Sequence, residues 1–260
     1  MKILFIGDIF GKPGRSVVET VLPRLKKKYK IELSIANCEN LTQGRGITKK
    51  TILQMKNAGI DVFTSGNHLW DKRESIDFIS TSSDILKPAN YPKATPGARY
   101  TIFKSKNGEQ CAVITILGQI FMKTYNINRP VYTMDRLLKK ELFGIKNIFV
   151  DFHAEATAEK RAFAEFYNGK ITAVVGTHTH VQTADEQILT RGTAFITDVG
   201  MTGGHNSVIG VKKEIIIKTL ETSLPQRFIP SDKGLQLNAV FIEVSGGKAI
   251  KIKRILKKYD

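Results

Sequence analysis

The sequence predicts an α/β fold, a mostly parallel sheet covered on both faces by helices. Short apolar runs alternate with helical patterns along most of the 260 residues, the order from which parallel sheets are built. Run after run is also followed by Asp, Glu, Asn or His. The carboxyl ends of strands are where open α/β sheets present their ligands.

The first buried strand is expected over 2–7, followed by a loop over 8–13 and a helical pattern to about residue 29. A second strand spans 31–37. After the polar turn Thr42-Gln43-Gly44-Arg45-Gly46, a helix over 48–58 leads into a strand over 61–64, and a short helix covers 72–79. Strands over 99–105 and 110–117 flank Lys106-Asn107-Gly108-Glu109, a hairpin signal because Asn-Gly accepts positive φ. Residues 118–130 read as a long loop. The alternation then resumes with a helix over 133–142, a strand over 147–151, a helix over 154–167 and a strand over 171–175. Strands over 187–190 and 193–197 turn at Arg191-Gly192. A glycine-rich loop over 200–210 precedes a helix over 212–221, and a closing hairpin of 239–244 and 249–255 turns at Gly246-Gly247. No repeat, low-complexity segment or interdomain linker is evident, so one domain over 1–260 is expected.

A hydrophobic content of 42% is ordinary for a chain that buries a core. No apolar run nears the ~20 residues of a membrane span, and Asp8 cuts short the run over 3–7, a poor signal-peptide core. Cys38 and Cys111 each lie inside an apolar run and read as buried thiols, in keeping with a reducing cytoplasm. The net charge of +16 suits an anionic substrate, nucleic acid or an acidic surface. Its densest patches, 24–28 and 248–258, are not interleaved with aromatics as a single-strand platform would be. Most of the charge therefore reads as solvated surface.

The chemistry centres on Gly176-Thr177-His178-Thr179-His180. In an extended segment alternate side chains leave one face, so His178 and His180 are expected to converge. Neutral imidazole is the commonest metal ligand. The other strand ends deliver Asp8, Glu39 with Asn40, Asn67 with His68, and His153. Four of the five histidines occupy these ends, and the fifth, His205, lies in the glycine-rich loop. Taken singly, Asp8 reads as a helix cap and Asn67 as a turn residue. Together they point to a metal site. Mixed oxygen and imidazole donors suit Mn, Fe, Zn or Co better than Ca or Mg, and their number points to two ions sharing a bridging carboxylate. Two ions about 3.5–4 Å apart can clamp a phosphoryl group during in-line displacement. Phosphate-ester hydrolysis is the expected chemistry.

The stretches over 7–11, 37–40, 65–68, 151–157, 176–185 and 197–203 resemble the calcineurin-like metallophosphoesterases. Within them the match is to the bacterial YmdB-type branch, which has cyclic-nucleotide phosphodiesterase activity. That resemblance implies a sandwich of two mixed β-sheets flanked by helices. It implies one metal held by Asp8, Glu39, Asn40 and His180, and another held by Glu39, Asn67, His153 and His178, with Glu39 bridging. The ions would be divalent or mixed-valence, iron or manganese first and zinc next. A metal-bridging hydroxide would be the nucleophile, and His68 would protonate the departing oxygen as general acid. Phe10 stands where the wider superfamily usually has His, and Glu39 where it usually has Asp; the branch shares both features, with Asn40 as the substitute ligand. The implied substrate is a 2′,3′- or 3′,5′-cyclic nucleotide, and self-association is in keeping with the branch. A phosphomonoesterase or nuclease would use the same centre. A regulator that binds nucleotide or RNA without turnover is the reading from another class, and the intact His68 argues against it.

The stretch over 7–12 superficially matches a phosphate-binding P-loop, but it is one residue short and Pro13 replaces the required Ser or Thr. Arg45 is a candidate cation for phosphate, Phe121 and Tyr125 are candidate aromatics for a base, and His205 is a candidate pocket residue.

Overall fold

A computed structural model describes residues 1–123 and 126–259. In chain order they form β1 (Lys2–Ile6), β2 (Asp8–Ile9), α1 (Gly11–Tyr29), β3 (Leu33–Asn37), α2 (Lys49–Ala58), β4 (Val62–Thr64), a 3₁₀ turn (Arg73–Ser75) and α3 (Ile76–Thr81). Then come β5 (Tyr100–Lys104), β6 (Gln110–Leu117), α4 (Pro130–Lys139), β7 (Asn147–His153), α5 (Thr157–Phe166) and β8 (Ala173–Thr177). The remainder is β9 (Gln187–Ile188), β10 (Ala194–Ile196), β11 (Met201–Gly204), α6 (Lys213–Thr222), β12 (Leu235–Ser245) and β13 (Lys248–Tyr259).

The strands make two sheets. One has the order β2-β11-β12-β1-β3-β4, with β13 on β12; the other has the order β5-β6-β7-β8-β10-β9. Parallel β1, β3 and β4 are joined by antiparallel β12 in the first, and parallel β6, β7, β8 and β10 by antiparallel β5 and β9 in the second. Both sheets are therefore mixed. Their inner faces meet where Ile3, Phe5 and Ile35 pack with Val113, Phe149 and Val175. On the outer face of the first sheet, Leu4 and Ile6 pack under Val17 and Leu22 of α1 and Met55 of α2. On the outer face of the second, Ile114 and Val150 pack under Met134 of α4 and Phe163 of α5.

This is the sandwich that the family resemblance implies. It corrects the simpler expectation of one sheet with helices on both faces. A strand buried on both sides reads as a continuous apolar run, and the run does not reveal whether helix or sheet covers each side.

Local differences follow from packing. The segments 8–13 and 200–210, expected as loops, are partly paired: β2 and β11 run parallel, Met201 opposite Asp8. Gly204 sits so close to the backbone of Ser231 that a Cβ would lie 2.1 Å from its carbonyl oxygen. Glycine there serves close approach, not mobility. α4 starts at Pro130 rather than 133, because proline is pre-organised for the first helical turn. Thr48 and Thr51 form a reciprocal cap at the start of α2. Cys38 and Cys111 are buried free thiols. Among the described residues, no helix is long and apolar enough to cross a membrane.

Candidate active site

The carboxyl ends of β1, β3, β4, β7 and β8 meet at one edge, where Asn37 of β3 donates to Asp151 of β7 at 3.0 Å and ties the two sheets together. Glu39, just past β3, places Oε1 3.1 Å from Nε2 of His153, the last residue of β7. Its Oε2 accepts from the backbone N–H of His68 at 2.9 Å. His178 Nδ1 lies 3.0 Å from the same His153 nitrogen. Donor atoms of Glu39, His153 and His178 all fall within 4.8 Å of one another and could hold a metal ion. Beside them, His180 Nε2 is 3.2 Å from Asn40 Nδ2 and 4.0 Å from Asp8 Oδ1. Asn67 Nδ2 is 3.2 Å from His68 Nε2. All eight candidate residues thus come to one edge.

The two central histidines do not converge in the way the sequence predicts. β8 stops at Thr177, and His178 and His180 both take positive φ, 99° and 67°, a region that non-glycine residues seldom occupy. The loop is held by Asp198, which no local sequence pattern singles out as a positioning residue. Its Oδ2 accepts from Thr179 N at 3.1 Å, Thr179 Oγ1 at 2.8 Å and Lys160 Nζ at 2.8 Å, and its Oδ1 from Gly200 N at 2.8 Å. Lys160 also donates to the Thr177 carbonyl at 2.8 Å. Both members of this ion pair are fully buried.

Hydrogen bonds also orient the rings. Thr177 Oγ1 donates to Asp151 at 2.6 Å and so accepts from His153 Nδ1 at 2.9 Å, which turns Nε2 towards Glu39. His180 Nδ1 donates to the Ile209 carbonyl at 2.9 Å, which leaves Nε2 facing Asn40 and Asp8. Such anchoring of one ring nitrogen is how a ligand imidazole is fixed in tautomer and direction.

The site concentrates charge away from water. Burial raises the Asp8 carboxyl pKa, with His180 and His153 opposing it. Burial raises Asp151 to about 6. Burial also resists ionisation of Glu39, yet His153 and His68 outweigh it and hold that carboxyl below its usual range. For His153 burial is outweighed by Glu39, Asp8 and Asp151, which push it up to about 9, whereas burial and the neighbouring His153 push His178 down to about 3. Glu39, Asp8 and Asp151 thus favour positive charge at His153. A bound cation would supply that charge in place of a proton. Two buried acceptors, Asp8 Oδ1 and Asn67 Oδ1, have no hydrogen-bond partner among the described residues; orphaned acceptors of this kind are costly unless something satisfies them. The donor set fits metal.

A cavity of about 470 Å³ opens over these groups, lined among others by Phe10, Arg45, His68, Glu155, His178 and Phe228. Arg45 Nε lies 2.7 Å from Asp71 Oδ2 and 3.2 Å from His68 Nδ1, so the expected cation stands beside the expected acid. Asp71 in turn lies 2.9 Å from His68 Nδ1. Phe121 is 82% exposed and lines none of this cavity; among the described residues, the phenylalanines that line it are Phe10, edge-on to His180 at 5.5 Å, and Phe228. Tyr125 lies outside the described residues. His205 lines a different cavity on the far side of His180 and bonds the Met201 carbonyl at 3.1 Å. Glu155, also missed from sequence, reaches His178 Nε2 at 3.2 Å. Its only signal was a place inside the 151–157 stretch.

Residues 4–255 match a family described as YmdB-like protein. The chain is 45% identical to the 2′,3′-cyclic-nucleotide 2′-phosphodiesterase of Bacillus subtilis, over 262 aligned residues that cover 100% of this chain and 98% of that protein. Among solved structures it is similar to a hypothetical protein from Thermus thermophilus, with a TM-score of 0.94, 35% identity and 100% of each chain covered. It is also similar to a novel phosphatase from Mycoplasma pneumoniae, with a TM-score of 0.93, 34% identity, and 99% of this chain and 93% of that one covered.

Proposed function

The chain belongs to the YmdB-like family, and on that footing we propose that it is a metal-dependent phosphodiesterase acting on cyclic nucleotides of the 2′,3′ type. The observation that carries this reading is the convergence of Glu39, His178 and the fully buried His153 beneath an open cavity that Glu39 and His178 line, with His68 on its wall. The name of the Bacillus subtilis relative supplies the substrate class.

Asp8, Asn40 and His180 would hold one ion and Asn67, His153 and His178 the other, with Glu39 shared between them. Each set contains one of the two orphaned buried oxygens, Asp8 Oδ1 and Asn67 Oδ1. Mixed oxygen and imidazole donors favour iron or manganese, with zinc next. When bound, such ions polarise phosphoryl oxygens and activate water for attack. The remaining chemistry belongs to side chains. His68 gives its Nε2 proton to the departing oxygen, and Asp71, at 2.9 Å from Nδ1, supports the imidazolium that does so. Arg45 sets a positive charge beside the phosphate, and Phe228 and Phe10 offer apolar faces to the base or sugar.

The deciding experiment strips the metal, restores Mn²⁺ or Fe²⁺, and follows hydrolysis of bis-p-nitrophenyl phosphate and 2′,3′-cyclic AMP, with Glu39→Gln alongside. Metal-dependent cleavage that disappears in the variant supports the reading. Bound metal without cleavage would favour a nucleotide- or RNA-binding regulator.

A further inference from the structure

A second cavity of about 530 Å³ adjoins the proposed catalytic one. Among the described residues, four cations face it, Lys12, Arg15, Lys50 and Lys212, against a single carboxylate, Asp232. They come from three separate segments of the chain. Lys12 opens α1 and Lys50 opens α2, and neither helix has an acidic residue in its first turn. A helix N-terminus already carries partial positive charge and is normally matched with acids. The α2 end is capped by Thr48 and Thr51 and the Gly11 N–H of α1 donates to the Asn40 carbonyl, so what the hollow offers an anion is chiefly the four side-chain cations, with the helix ends adding to the same field. Arg15 is held in place by Gln54, which accepts from its Nε at 2.6 Å, and by the Leu41 carbonyl.

The two cavities share their dividing wall. Phe10 faces the catalytic cavity and Lys12 the basic one; Gly44 faces the former and Gln43 the latter; Phe228 faces the former and Ile229 the latter. Position 44 excludes a side chain, since its φ is 83° and a Cβ there would lie 2.5 Å from the Phe10 ring.

We propose that the basic cavity is a second phosphate subsite, which takes a backbone phosphate of a nucleotide chain whose terminal cyclic diester is cleaved next door. The inference rests on the phosphodiesterase reading and deepens it: the substrate class becomes short oligonucleotides ending in a cyclic phosphate, beyond mononucleotides. The chain's charge of +16 is in keeping with such a ligand.

The test compares 2′,3′-cyclic AMP with an adenine dinucleotide ending in a 2′,3′-cyclic phosphate. Equilibrium binding and hydrolysis are both measured in the metal-restored protein and in a Lys12→Ala, Lys50→Ala variant. The dinucleotide should bind more tightly, with a log–log salt slope steeper by about 0.7 for its extra phosphate, and the variant should lose both differences. Equal affinities and slopes, or a loss in the variant that falls equally on both ligands, would overturn the proposal. So would inorganic phosphate binding through Lys12 and Lys50 while the dinucleotide gains nothing, because the cavity would then serve a separate anion. If neither ligand is hydrolysed but the lysine-dependent advantage persists, the subsite stands and the hydrolytic reading falls.

Discussion

A single methyl group at Gly66 would strike the proposed metal-binding atoms directly. A Cβ at that position lies 2.2 Å from His153 Nε2, 2.3 Å from its Cδ2 and 2.5 Å from Glu39 Oε2. Gly66 does not occupy the left-handed region, so alanine fits the backbone and the whole effect is steric. Ordinary contact begins at 3.4 Å, so the His153 ring must withdraw by about 1.2 Å or drive Gly66 back by as much. Neither partner has room. His153 is fully buried and tethered to Thr177, and Glu39 is held by the His68 amide. Overpacking of this kind costs about 1–3 kcal/mol, a fall of about 2–12 °C in Tm for a chain of this size. A displacement of about 1 Å among reacting groups lowers turnover by about 10²-fold. Gly66→Ala should therefore remain folded, lose bound metal and lose most cleavage of bis-p-nitrophenyl phosphate. Metal content by mass spectrometry, thermal unfolding and steady-state kinetics would be read on the same preparation. A folded variant with wild-type metal content and turnover would refute the placing of Glu39 and His153 at the reacting centre.

His68→Ala should keep its metals and slow turnover by about 10²–10⁴-fold; unchanged kinetics would remove His68 from the mechanism. Lys160→Met leaves the buried Asp198 carboxylate without its cation and should cost about 3–5 kcal/mol in urea unfolding. Adding Asp198→Asn should restore part of that loss, and a double variant no better than the single would show that the charge itself is not the issue. At Asp185, burial disfavours the carboxylate but donors from Thr183 and Thr197 outweigh it, so its pKa lies below the ordinary 3.8. Its stabilisation is present above pH 3.8 and is lost as pH falls through the lower folded value. Asp185→Asn should flatten that part of the acid-unfolding curve, and an unaltered curve would count against the assignment.

Much of the candidate site is legible in the sequence because parallel strands share a direction. Asp8, Glu39, Asn67, His153 and His178 lie far apart in sequence, but each follows an apolar run, and runs of that kind end at one edge. What stayed hidden depends on pairings that no local pattern encodes. Asp198 and Lys160 are 38 residues apart, and nothing near either announces that their ion pair holds the histidine loop. Alternation along an extended strand predicts His178 and His180 on one face, whereas positive φ at both residues brings their rings in from a turn. Phe121 looked like a base-stacking aromatic on a long loop, but Phe228, from a coil with no periodicity, lines the cavity. The glycines of 200–210 read as a loop because glycine marks both turns and close backbone contacts, and here part of the segment is β11.

The pairing of β1 with β12 also bears on the order in which the molecule can be assembled. Ile3 lies opposite Ile242, so one side of the first strand waits for a partner made almost at the far end of the chain. During synthesis β1 can gather β3 and α1 early, but its other edge stays open until residues 235–245 have emerged. Contacts this distant in sequence form slowly, and an open strand edge is a template for the wrong partner. Asp8 lies two residues beyond β1, in the short strand that pairs with β11, and β11 is itself anchored on β12. The ribosome must therefore deliver most of the chain before this corner of the site can take shape, and a nascent chain halted before β12 would carry Glu39, His153 and His178 without a settled Asp8.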